Sequence, residues 1–223
     1  MGIALLASTA ALTVVMDPAH AIRISVGGTR VANEGFKSSV AGAVTVDFNN
    51  GSTTNNMFSY SGLSGNLVQG SVGGQYATPE GNTTRYMTIA SRNSRVAGAT
   101  GDVTINFAKA LDYFGLYWGS IDTHNEIDFF SGNSRLATFT GRDATSTPNG
   151  SWTASATNRF VNFFGDGKTF DRVVLRARGV AFESDNHAYR QAVPEPFTIG
   201  GTALALVMGL RARKKKAVAQ AEA

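Results

Sequence analysis

A period of two runs through the middle of this 223-residue chain and restricts its fold more than any other feature. In "DVTINF", Val103, Ile105 and Phe107 occupy alternate positions, and "AVTVDF" places Val44, Val46 and Phe48 the same way. Successive side chains of a strand point to opposite faces, so this spacing predicts strands with one face in a core. "RYMTIA", "YFGLYWG", "EIDFF", "RLATFT", "RFVNFFG" and "DRVVLRARG" extend the pattern, mostly bounded by Gly, Asn, Asp and Ser. Pro79 and Pro148, the only prolines of this region, fall in loop-like stretches, where a missing amide breaks no ladder. Between Ile22 and Val193 there is no amphipathic helix, fixed-period repeat or low-complexity block. Eight or more short strands in about 170 residues predict an all-β fold: an antiparallel two-sheet β-sandwich, jelly-roll-like.

Composition agrees. Charged residues make up only 16% of the chain and glycines number 25, a balance that suits an extracellular β domain better than a helical enzyme. Cysteine is absent, which excludes disulfides, thiol catalysis and Cys-ligated metals and leaves export open. The formal charge of +4 is concentrated at one end, because five basic residues lie within Arg211–Lys216. The middle carries 15 basic and 13 acidic residues, a net of +2, with no basic patch interleaved with aromatics. Nucleic acid is therefore not an expected partner.

The two ends read as signals. Gly2–Met16 is apolar and small, and Asp17-Pro18 then leads into Ala19-His20-Ala21. Small residues at the −3 and −1 positions fit the shallow subsites of signal peptidase, so Ala19 and Ala21 mark cleavage before Ile22, and residues 1–21 are expected to be a signal-peptide helix. Near the other end, "VPEPFTIGGTALALVMGLRARKKK" joins a Pro-Glu-Pro to an apolar run and a basic cluster. Phe197–Leu210 has 14 residues, about 21 Å as a helix at 1.5 Å per residue, short for a hydrocarbon core of about 30 Å. Arg211, Arg213, Lys214, Lys215 and Lys216 would stay cytoplasmic by the positive-inside rule. The expected organisation is a signal peptide over 1–21, the β-sandwich over 22–192, a sorting segment with a short transmembrane helix over 193–216, and a cytoplasmic tail over 217–223.

The order Val-Pro-Glu-Pro, short Gly/Ala/Leu-rich segment and basic cluster resembles the PEP-CTERM sorting signal of bacterial surface proteins, with Pro194, Glu195 and Pro196 as its motif. The resemblance implies exosortase as a partner after signal peptidase, a transient stay in the inner membrane, and an association with exopolysaccharide and biofilm matrix at the cell surface. It extends into the body. "YFGLYWGSIDTHNEIDFFSGN", "RFVNFF" and "FDRVVLRARGVAFESDN" are similar to an ectodomain of exosortase-dependent proteins over about Asp47 to Asn186. There a Trp-Gly-Ser-x-Asp turn separates two strands and a Phe-Glu-x-Asp-Asn strand nearly closes the domain. No catalytic role comes with it.

Three chemistries suit the polar residues of the body. Sugar binding needs an aromatic platform and nearby hydroxyl partners, and Trp152, Tyr117, Asp122 and Asn125 are the candidate contacts. Trp118 is expected in the core, since Phe114, Leu116 and Trp118 alternate with Tyr113, Gly115 and Tyr117. Trp152, beside Asn149-Gly150-Ser151, is the better exposed ring. Structural calcium needs hard oxygen ligands, and Asp47 and Asn49 with Glu183, Asp185 and Asn186 supply them if the first and last strands meet. Glycoside hydrolysis needs a carboxylate pair about 5–5.5 Å apart in retaining enzymes. Glu126 and Asp128 share a strand face and are the candidates, although such i, i+2 acids are commonly inert. His124 and His187 sit in polar, loop-like sequence without zinc spacing. Ser120, Asp122 and His124 are too close in sequence for a triad. "GSVGGQ" and "SVGGTR" read as turns rather than phosphate loops. The expectation is a non-catalytic polysaccharide-binding matrix protein, with a carbohydrate-active hydrolase and a purely structural matrix protein as the alternatives.

Overall fold

The computed structural model describes residues 22–193. The expected signal-peptide helix, sorting motif, transmembrane helix and basic cluster lie outside the described residues. Among those described, no helix is long and apolar enough to cross a membrane.

The described chain is mostly β with almost no helix, and every strand pairing is antiparallel. Thirteen strands form, with one helical turn, α1 (Gly141–Ala144). Eleven strands lie on one hydrogen-bonded network, and β2 (Thr29–Val31) and β3 (Gly35–Lys37) form a separate hairpin. The network divides along β8 (Asp102–Gly119), which is 18 residues long. Its first half pairs with β5 (Phe58–Ser61) and β12 (Phe170–Ala177), and β12 leads on to β9 (Asn125–Ser131) and β10 (Ser134–Thr140). The second half pairs with β11 (Arg159–Phe164) and β13 (Val180–Gln191). Beyond β11 lies β1 (Arg23–Val26), while the far edge of β13 pairs first with β7 (Tyr86–Ala90) and then with β4 (Val44–Val46). The short β6 (Leu67–Val68) borders β7. Two expected strands, "DVTINF" and "YFGLYWG", are thus halves of one long strand.

Alternation explains the first half of β8. Val103, Ile105 and Phe107 are buried between exposed or half-buried neighbours. They share one cluster with Phe129, Val173 and Leu175 and with Phe114, Trp118, Phe163 and Phe182 from the other half of the network. Phe129 lies 4.9 Å from Phe163, centroid to centroid, and Phe139 lies 5.1 Å from Phe163. These rings join the two halves, and side chains of this size contribute about 1.5–3 kcal/mol each on full burial.

The second half departs from alternation, because both of its faces are covered. Tyr113 and Tyr117 point away from the main core yet are fully buried, packed with Phe160 and Ala188 beneath Phe36, Val40, Ala43 and Phe164. The cover is the N-terminal hairpin and the segment after it. Gly35 makes the fit feasible: its φ is +70°, and a Cβ there would collide with the Tyr117 ring. Asn186, with φ of 49°, donates from Nδ2 to the carbonyls of Glu34 (2.7 Å) and Phe36 (3.1 Å) and so pins the hairpin to β13. Val44 is a further departure. Expected in the core with Val46 and Phe48, it is 53% exposed, because β4 covers only a three-residue stretch of β13 at the border of the sheet.

Candidate functional site

Four chain segments meet at one end of β8 and leave a groove of about 140 Å³ between them. Gln75 and Tyr76 come from a turn in which Val72 and Tyr76 bridge each other across Gly73-Gly74. Ser120 and Asp122 follow β8, Gly150 and Trp152 lie on the loop before β11, and Val180 and Glu183 open β13. The Asp122 and Asn149 backbones form a bridge, and the Gly150 amide donates to the Ile121 carbonyl at 3.0 Å. Trp152 is therefore held beside Asp122 by the backbone itself.

Trp152 is 49% exposed and Val180 is 40% exposed. Two of the few large apolar side chains left in water thus line the same groove. The same lining includes polar groups. Asp122 Oδ1 accepts from the Thr123 amide at 2.6 Å and has His124 Nδ1 at 3.5 Å, while Oδ2 lies beside Gly150. Glu183 is buried, accepting at Oε1 from the Ala77 amide at 2.9 Å, with Ser120 Oγ donating to Oε2. Burial pushes its carboxyl up to about 7, and the neighbouring Asp122 charge adds to the rise.

The sequence-expected residues divide sharply. Trp152 and Asp122 share the groove. Tyr117 and Asn125, expected as glycan contacts, do not reach it: both are fully buried. The Tyr117 hydroxyl donates to the Glu80 carbonyl beneath the N-terminal cover. Asn125 accepts from the Asp122 amide (3.0 Å) and donates to the Ala181 carbonyl (3.1 Å), so it braces the turn from inside. Asn158 was not foreseen at all. From a buried position, its Oδ1 accepts from the amides of Glu80 and Ser120, and its Nδ2 donates to the carbonyls of Ser151 and Ala154.

Glu126 and Asp128 do share a face, but a cation fills the space between them. Arg176 Nε lies 2.9 Å from Asp128 and 3.5 Å from Glu126, and Thr138 Oγ1 donates to Asp128 at 2.6 Å. With Asp128 buried and Arg178 also 3.6 Å from the half-buried Glu126, this pair belongs to an ion-pair network tying β9, β10 and β12.

Of the oxygen set considered for calcium, Glu183, Asp185 and Asn186 lie on β13, and Asp47 and Asn49 follow β4. Asp47 accepts from the Asn49 amide at 3.2 Å. Asp185 accepts from Asn82 Nδ2 at 2.6 Å and from the Asn186 amide at 2.7 Å, and burial pushes its carboxyl up to about 8. Among the described residues, no three His, Asp or Glu side chains gather as a metal-binding group. His187, expected in a loop-like setting, is instead a core residue of β13. Its ring contacts Phe48, Tyr60 and Phe114, Nδ1 lies 2.8 Å from the Tyr60 hydroxyl, and Nε2 lies 2.9 Å from Ser184 Oγ. Burial lowers its pKa to about 3.

Comparison with family models, curated proteins and solved structures gives no match.

Proposed function

We propose that this is an exported, non-catalytic surface or matrix protein whose body binds polysaccharide in the Trp152 groove. The observation that carries the reading is an exposed indole and an exposed valine that line one groove of about 140 Å³ with Asp122, Ser120 and Gln75. Apolar C–H faces of a pyranose suit the indole and the valine, and its hydroxyls suit the polar side chains. The two halves of the network sharing one aromatic core support a jelly-roll-like β-sandwich as the scaffold.

Export and sorting rest on the sequence of the two ends: Ala19 and Ala21 for signal peptidase, Pro194-Glu195-Pro196 and Arg211–Lys216 for exosortase and the membrane stop. Structural calcium enters this proposal only through the Asp47, Glu183, Asp185 and Asn186 oxygens.

Full-length protein in mild detergent, applied to a glycan array, is expected to retain at least one polymer, and Trp152→Ala to weaken retention by up to about tenfold, since stacked aromatic contacts contribute about 0.5–1.5 kcal/mol. Retention that ignores Trp152→Ala would exclude this groove. For sorting, deletion of Phe197–Lys216 is expected to leave the protein unprocessed and misplaced in cell fractionation; normal surface display of the deleted protein would refute the sorting reading.

A further inference from the structure

The charges around the groove narrow the class of polymer. Its lining includes two carboxylic acids, Asp122 and Glu183, and no lysine, arginine or histidine. The chain around it is not acidic, since the middle region is slightly basic overall, so the sign of the groove is a local property. The nearest cationic candidate, His124, approaches Asp122 through Oδ1. Oδ2, beside the lining residue Gly150, is the atom left for a ligand. Trp152 adds a second element of the same sign, because the face of an indole attracts cations as well as sugar C–H groups.

We infer that the groove prefers a polysaccharide bearing free amino groups, with a protonated amino sugar set between the Asp122 carboxylate and the Trp152 ring. This rests on the reading of the groove as a glycan site. Asp122 supplies a charge-assisted hydrogen bond to the ammonium, and Trp152 with Val180 covers the apolar face of the ring. A uronate polymer is rejected by the same geometry. Its carboxylate would face Asp122 with no cation among the lining residues to offset the repulsion.

Calorimetry at pH 6, where the amine is protonated, can use three probes on the full chain in detergent: hexamers of glucosamine, N-acetylglucosamine and galacturonate. The glucosamine hexamer is expected to bind about fivefold more tightly than its acetylated counterpart, the ratio given by a partly exposed charge pair worth ~1 kcal/mol. Galacturonate is expected to bind worst. Asp122→Asn keeps the acceptor that caps Thr123 and removes the charge, so it is expected to bring the first two probes to equal affinity. Asp166→Asn, at the opposite end of β11 where Asp166 pairs with Arg23, is expected to keep the preference. A preference that survives Asp122→Asn, or one for acetylated or uronate chains with binding still dependent on Trp152, overturns the amino-sugar inference alone. If none of the hexamers binds and the array is blank, the inference and the glycan reading fail together.

Discussion

Asn158 shows how one buried amide can set the shape of a surface site. Its four hydrogen bonds, at 3.0–3.1 Å, join the Glu80 amide, the Ser120 amide and two carbonyls of the loop that carries Trp152. Remove the side chain and the two amides lose their partner in a place where water has little access, while the Ser151 and Ala154 carbonyls keep their bonds from Thr157. Leaving a buried polar group unsatisfied costs about 1–3 kcal/mol, more than a typical hydrogen bond contributes on balance. Asn158→Ala is therefore expected to lower unfolding free energy in urea by about 3 kcal/mol and to weaken glycan binding along with it, through the loosened Ser120 and Trp152 segments. A loss under about 0.5 kcal/mol would show that water replaces these bonds. In "SATNRF" this asparagine looks like an ordinary turn residue, since Asn is common in turns for local reasons. Its local bonds to Ser151 and Ala154 are ordinary loop contacts, and what distinguishes it, the Glu80 and Ser120 amides, belongs to segments folded against it from a distance.

At the scale of elements, legibility followed the number of buried faces. The first half of β8 has one, and Val103, Ile105 and Phe107 are spaced accordingly. The second half has two, so "YFGLYWG" is apolar throughout: its alternation separates Phe114, Leu116 and Trp118 from Tyr113 and Tyr117 but does not show that the second set is covered as well. Tyr117 was misplaced for this reason: the covering hairpin comes from β2 and β3, strands of three residues each, too short to show a period. The expected strands from "RYMTIA" to "DRVVLRARG" lie where the sequence places them, as β7 to β12, whereas β1, β2, β3, β5 and β6 gave no usable signal. The groove divides the same way. Trp152 and Asp122 were visible as an aromatic and an acid in turn-rich sequence. Glu183 was visible as an acid, but its place in the groove depends on the pairing of β13 with β8, where Glu183 sits opposite Gly119, and on a loop that presents Ala77 to its carboxylate. Pairings between residues so far apart in sequence leave no local trace.

The whole molecule combines three buried titrating groups on one strand, and together they set how its stability depends on pH. Glu183 and Asp185 have folded pKa values raised by burial, from 4.5 to about 7 and from 3.8 to about 8. His187 has one lowered by burial, from 6.5 to about 3. The folded chain therefore holds two carboxyl protons that the unfolded chain releases above about pH 4.5, and their contribution to stability is lost as pH rises through 7 and 8. His187 acts oppositely: its contribution is present above pH 6.5 and is lost as pH falls toward 3. Between about pH 4.5 and 6.5 the carboxyls outnumber the imidazole by one proton, so stability declines by up to about 1.4 kcal/mol per pH unit. Above 6.5 the imidazole no longer counts, and the decline steepens until the two carboxyls ionise. Urea unfolding at pH 5.5, 6.5, 7.5 and 8.5 is expected to show monotonic loss, with the steepest part between 6.5 and 7.5. Glu183→Gln keeps an acceptor for Ala77 and an amide for Ser120, and it is expected to shallow the slope between 5.5 and 7.5 while leaving the part governed by Asp185. A wild-type profile flat from 5.5 to 8.5 would mean that both carboxyls ionise in the folded chain as they do in the unfolded one, and that water reaches β13 through the groove and the N-terminal cover.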